Sequence, residues 1–123
     1  MILLDTHALI WLHEGKRRVQ ALARRPQRIY ASPVTLLELG LLVEVGKLRL
    51  RRGASASDVF SDDRWLIDEP PAAALFSRAL DLSWTRDPFD RLLVAHALIR
   101  GWKLATADEL ILSHLSPGSA LEL

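Results

Sequence analysis

Ile2-Leu3-Leu4-Asp5-Thr6-His7-Ala8-Leu9-Ile10-Trp11-Leu12 is the stretch from which the fold can be read. A short apolar run ends at Asp5-Thr6, and Ala8, Leu9, Trp11 and Leu12 then recur on one helical face. This predicts a buried strand running directly into a helix, which stops near Gly15.

The same alternation continues outward. A second amphipathic helix is expected at about Val19–Arg25, ended by Pro26, and a β-prone strand at Arg28–Ala31, closed by Ser32-Pro33. Val34–Val45 is apolar on nearly every side, so this helix is either central in the core or partly buried against another chain. Gly46 stops it, and the basic loop Arg49–Ser57 leads to a short helix around Asp58–Arg64. Trp65-Leu66-Ile67 reads as a third strand, and Pro70-Pro71 opens a helix over Ala72–Leu80. Asp87-Pro88-Phe89-Asp90 combines an N-cap, a proline in the first turn and a further carboxylate, and starts a helix that runs to Gly101. Lys103–Thr106 reads as a strand and Ala120–Leu123 as a last edge strand. Strands alternating with helices predict an α/β fold with a mainly parallel sheet. At 123 residues, without repeats or an interior linker, the expectation is a single domain over 1–123.

Composition removes several chemistries. The chain has no cysteine, which excludes a disulfide framework, a thiolate metal site and a cysteine nucleophile. Its apolar runs fall far short of the ~18 residues of a spanning helix, and the start has no basic region before a long apolar stretch. A cytoplasmic protein with no membrane partner is expected. The net charge of +1 divides unevenly: residues 1–52 hold ten Lys/Arg against four Asp/Glu, residues 53–123 six against eleven. The basic clusters at 16–18, 24–28 and 47–52 are either solvated helix ends and a loop, or contacts for a phosphate backbone.

Ligands of open α/β sheets bind at the carboxyl ends of strands, where Asp5 and Asp108 fall. Each is also placed to cap the following helix. Glu38 shares a helix face with Val34, Leu41 and Leu42, where an unpaired charge is costly to bury. It is either paired with an arginine or a metal ligand. Asp87 reads first as a cap, whereas Asp90 is free to project towards the same crevice as Asp5. Carboxylates gathered there without a neighbouring base call for a hard divalent cation, Mg²⁺ or Mn²⁺, suited to phosphodiester hydrolysis. Other chemistries fail: no Gly-rich phosphate loop is present, and His7, His13, His96 and His114 lack zinc-ligand spacing. His7 belongs either at the pocket rim or on the helix surface, and His96 reads as a packed or partly exposed side chain.

Four segments in order, Asp5-Thr6-His7-Ala8-Leu9-Ile10-Trp11, Ser32 with Glu38-Leu39, Arg86-Asp87-Pro88-Phe89-Asp90-Arg91-Leu92-Leu93-Val94-Ala95, and Leu104-Ala105-Thr106-Ala107-Asp108, resemble the PIN-domain family. Within it they are most similar to the VapC-type ribonuclease toxins of toxin–antitoxin pairs. The resemblance implies a three-layer fold and a metal-dependent endoribonuclease with Mg²⁺ or Mn²⁺ held by Asp5, Glu38, Asp90 and Asp108. It gives Thr6, Asp87 and Thr106 supporting positions. Arg86 and Arg91, flanking the signature, are candidates to place the substrate phosphate. The implied partners are an RNA substrate, a small antitoxin and a second copy of the chain. The apolar 34–45 helix, with Trp11 and Leu12, would offer a surface for dimer or antitoxin.

The sequence departs from the family pattern at Leu37, Leu42 and His96, where relatives often carry an aromatic residue, Lys and Gln. These changes bear on the dimer surface or substrate choice rather than on the acidic set. Two rival readings are a non-catalytic PIN-like binding protein and a phosphorylation-dependent signalling module. The latter should show paired acids after the first strand and a lysine at the end of a late strand, but the sequence has Asp5 alone and Lys103 at a strand start.

Overall fold

The computed structural model describes all residues from Met1 to Leu123. Five strands, β1 (Ile2–Leu4), β2 (Ile29–Ala31), β3 (Leu66–Ile67), β4 (Lys103–Thr106) and β5 (Ala120–Glu122), form one parallel sheet in the order β3-β2-β1-β4-β5. Between them run α1 (Thr6–His13), α2 (Gln20–Ala23), α3 (Pro33–Glu44), α4 (Ala56–Phe60), α5 (Ala72–Ala79), α6 (Pro88–Arg100) and α7 (Glu109–His114). The central strand is β1, with Ile2 opposite Ile29 on one side and Leu3 opposite Leu104 on the other.

Alternation along β1 builds the three layers. Ile2 and Leu4 face a core completed by Leu9, Leu12, Leu22, Leu39 and Trp65, drawn from α1 to α3 and the segment after α4. Leu3 points the other way and joins Leu104, Leu75, Leu93, Val94 and Ile111 beneath α5, α6 and α7. Because both faces are covered, all of β1 and most of β4 are buried.

The strand order also locates the site. From β1 the chain moves to β2 on one side, and from β4 it moves to β5 on the other. The order reverses between β1 and β4, which opens a crevice at their carboxyl ends. Asp5 and Asp108 follow those two strands. The signalling-module reading does not survive this topology, because that class has the order 2-1-3-4-5.

Three elements differ from their expected form. Residues 19–25 divide into a 3₁₀ turn at Arg17–Val19 and the four-residue α2. The helix expected at Asp58–Arg64 is α4 at Ala56–Phe60, because Ser55 and Asp58 form a reciprocal capping box that sets its start. On α3 the buried residues are Thr35 and Leu39, whereas Leu37 is 62% exposed and Val45, at the C-cap, 63%. The helix is therefore peripheral, with an apolar outer face, and not central in the core. No helix is long and apolar enough to cross a membrane.

Candidate active site

Asp5, Glu38, Asp87, Asp90 and Asp108 line one cavity of about 360 Å³ at the carboxyl ends of β1 and β4. Three of them are helix caps as well, so the structural and the functional readings hold together. Asp5 Oδ1 accepts from the Ala8 N–H at 2.7 Å at the start of α1. Asp87 Oδ1 accepts from the N–H groups of Phe89 (2.8 Å) and Asp90 (3.2 Å) at the start of α6. Asp108 Oδ1 accepts from Ile111 at 3.0 Å at the start of α7. Each cap holds one carboxylate oxygen and leaves the other outside it. Three helix N-termini thus point at the cavity, and their dipoles favour negative charge there.

Glu38 arrives from the second turn of α3. No arginine pairs with it; its partner is the buried hydroxyl of Thr6, which donates to Oε1 and lies 3.3 Å from the Thr35 hydroxyl. Burial raises the Glu38 pKa, and Asp87 and Asp5 push it the same way against the Thr6 hydrogen bond. Asp5 is only 6% exposed, and its pKa is raised by burial, partly offset by Thr106 and the Ala8 N–H. At Asp90 the charges of four neighbouring carboxylates add to burial. Burial, then Asp87, Asp108, Glu38 and Asp5, push its pKa up to about 7.

None of the five carboxylates forms a salt bridge; every ion pair of the chain lies elsewhere. No three of them are gathered closely enough to form a ready-made coordination shell, and their like charges raise the Asp90 pKa together with burial. Oxygen-only donors, deep burial at Asp5 and the lack of any salt bridge to the five carboxylates fit a hard divalent cation.

The remaining expected residues fall at different distances from this centre. Thr106 is buried at the end of β4, and its hydroxyl accepts from the Asp108 N–H at 3.0 Å, shaping the turn that presents Asp108. His7 is exposed on α1 and also lines the cavity, so both readings of it apply. Arg86 is exposed outside the lining. Arg91 donates from Nε to the Thr85 carbonyl at 2.8 Å, tying α6 to the preceding loop.

Two features add to what the sequence shows, where Arg18 belongs to the basic cluster at 16–18 and His96 to a helix rich in Leu and Ala. Arg18 is the one Lys or Arg that lines the acidic cavity, and its guanidinium lies 4.5 Å from the ring centroid of Trp11. On the far half of α6, His96 is fully buried and pairs through Nε2 with Asp68 Oδ2 at 2.7 Å; Arg100 Nε holds the same oxygen at 2.8 Å. Burial lowers the His96 pKa, and its Nδ1 has no hydrogen-bond partner. This cluster ties α6 to the end of β3, away from the carboxylates.

The geometry agrees with what the chain is similar to. It is 29% identical to ribonuclease VapC22 of Mycobacterium tuberculosis over 94% of this chain and 93% of that protein. Its fold is similar to that of a toxin–antitoxin complex from Klebsiella pneumoniae, with a TM-score of 0.70 and 22% identity over the full length of both chains. It is also similar to VapBC2 of Rickettsia felis bound to a promoter DNA fragment, with a TM-score of 0.67 and 21% identity, covering 99% of this chain and 98% of that one. The model of the PIN domain matches residues 2–114, and the chain belongs to the PIN-domain family.

Proposed function

We propose that this chain is a divalent-cation-dependent endoribonuclease, the toxin of a toxin–antitoxin pair, acting in the cytoplasm as one unit over residues 1–123. The observation that carries the reading is a crevice lined by five carboxylates, none of them in a salt bridge, at the point where the sheet order reverses. Likeness to a ribonuclease over nearly the whole chain supports it.

Asp5, Glu38, Asp90 and Asp108 would hold the cation, Mg²⁺ or Mn²⁺. When bound, it supplies Lewis acidity that stabilises charge on the attacked phosphodiester and eases deprotonation of the attacking water. The chain's own groups do the rest. Thr6 fixes the Glu38 carboxylate by hydrogen bonding to it, Thr106 holds the turn that carries Asp108, and the Asp87 cap fixes the first turn of α6 beneath Asp90. Buried walls on Asp5 and Thr6 keep bulk water from competing for those oxygens. Arg86 and Arg91 stand beside the signature as outer contacts for the substrate. Basic residues of 16–28 and 47–52, among them Arg25 and Arg28 in one cleft and Arg49 and Arg51 in another, are the outer contacts for the RNA backbone. The exposed apolar face of α3 fits a homodimer contact, and the complexes among its structural relatives support a small antitoxin partner.

The test is cleavage of total cellular RNA by the purified protein with Mg²⁺ or Mn²⁺, beside EDTA and Asp90→Asn controls. Discrete fragments that vanish in both controls support the proposal. Cleavage that persists in the variant contradicts it.

A further inference from the structure

We infer that Arg18, held over the Trp11 ring, is the phosphate-binding arm of the cleavage crevice, gripping an RNA phosphate adjoining the one that is cut. The inference deepens the nuclease reading and rests on it. Five carboxylates repel a polyanion unless something in the crevice attracts it, so a cation-dependent nuclease benefits from a fixed positive group at the cavity wall. Of the 16 Lys and Arg residues, only Arg18 lines that wall.

The local backbone explains how it gets there. Gly15, at φ 71°, turns the chain after α1, and the Lys16 N–H donates to the Trp11 carbonyl at 2.9 Å. The 3₁₀ turn that follows is anchored by Val19, which is fully buried. Arg18, one residue earlier, is thereby folded back over Trp11 towards the crevice. Its guanidinium stacks at 4.5 Å from the ring centroid, and Nη2 donates to the Leu123 carbonyl at 3.3 Å.

What Arg18 does not do is equally informative. Beside five carboxylates it forms a salt bridge with none. The indole plane and the Leu123 carbonyl hold the guanidinium in place, and its remaining N–H donors are uncommitted. A planar fork of that kind matches a phosphate bidentately, and preorganisation by stacking limits the entropy lost on binding. Trp11 is then a positioning residue: it acts through Arg18 and sets the orientation of the fork.

Two measurements test this. The first is steady-state cleavage of a short synthetic RNA with Mn²⁺. Arg18→Ala is expected to raise KM about tenfold or more, with kcat within about threefold of the parent. Arg18→Lys restores KM only in part, because it keeps the charge and loses the fork. Trp11→Phe, which keeps a smaller stacking plane, falls between parent and Arg18→Ala. The second is RNA binding in the Asp90→Asn background by fluorescence anisotropy over a salt series. Removing Arg18 should lower the slope of log K against log salt by about 0.7 to 1, the signature of one lost phosphate contact.

Arg78→Ala on α5 controls for net charge and should leave both readouts unmoved. An Arg18→Ala protein with parental KM and an unchanged salt slope overturns the inference. If the parent does not cleave, the nuclease reading fails while the binding series still decides on Arg18. Absence of both cleavage and binding overturns both.

Discussion

Replacing Asp90 by Asn should stabilise the cation-free protein at alkaline pH, although it removes a residue from the proposed centre. In the fold, burial and the charges of Asp87, Asp108, Glu38 and Asp5 push the Asp90 pKa from 3.8 up to about 7. The unfolded chain ionises this group near pH 3.9. Below that value both states hold the proton and the charge costs nothing. As pH rises from about 4 to about 7, the unfolded chain releases the proton while the fold retains it, so stability is progressively lost. At about 1.4 kcal/mol per pH unit, the full difference would be about 4 kcal/mol. Asp90 is only half-buried, and solvent screening brings the expected loss to about 1–2 kcal/mol. Asn cannot ionise and avoids that loss. In EDTA at pH 8, denaturant unfolding should therefore show Asp90→Asn to be more stable than the parent by about 1–2 kcal/mol. The gain should vanish at pH 4. Saturating Mn²⁺ should reverse the order, because the parent gains more from the cation. An Asp90→Asn protein no more stable than the parent at pH 8, or a gain that persists at pH 4, refutes the account in which burial, and then the neighbouring carboxylates, raise the Asp90 pKa.

Four further outcomes follow from particular residues. Thr6→Val removes the donor that fixes Glu38 and should lower Mn²⁺ affinity or activity about tenfold with the fold intact; isothermal titration checks it, and unchanged affinity contradicts it. Asp68→Ala leaves the buried His96 Nε2 and the Arg100 fork without their acceptor, at a cost of about 2 kcal/mol in urea unfolding. Because burial lowers the His96 pKa in the fold, its contribution is complete above about pH 6.5 and declines as pH falls towards the lower folded value; His96→Gln should be less sensitive than the parent over that window. Leu37→Glu introduces a charge on the exposed apolar face of α3; light scattering is expected to show a dimer for the parent and a monomer for the variant, with the melting temperature of the monomer unit preserved.

The legible parts of the fold were those written in short-range signals. Ile2-Leu3-Leu4 before Asp5, and Asp87-Pro88 before Asp90, mark a strand end and a helix start within a few residues, and the structure places both as read. The cap chemistry that predicted these helices also delivers Asp5, Asp87 and Asp108 to the crevice, so one signal carried both fold and site. The start of α4 was equally available in Ser55-Ala56-Ser57-Asp58, a capping box with Asp in place of the commoner Glu. What was not legible depends on long-range packing. Apolar residues surround α3, so their pattern does not choose a buried face; contact through Thr35 and Leu39 does. Likewise, the arrival of Arg18 at an acidic wall depends on how the turn after α1 packs through Val19, and the Asp68–His96–Arg100 cluster joins residues about 30 apart in the chain.

The central claim is that Asp5, Glu38, Asp90 and Asp108 form one cation site at the carboxyl ends of β1 and β4. Anomalous diffraction from crystals soaked in Mn²⁺, collected on both sides of the manganese edge, tests it most directly. The account predicts an anomalous peak inside the crevice, bonded to carboxylate oxygens of at least three of these residues, and its loss in Asp90→Asn crystals. A Mn²⁺ peak held by other residues, or no peak in the crevice at saturating Mn²⁺, would contradict it.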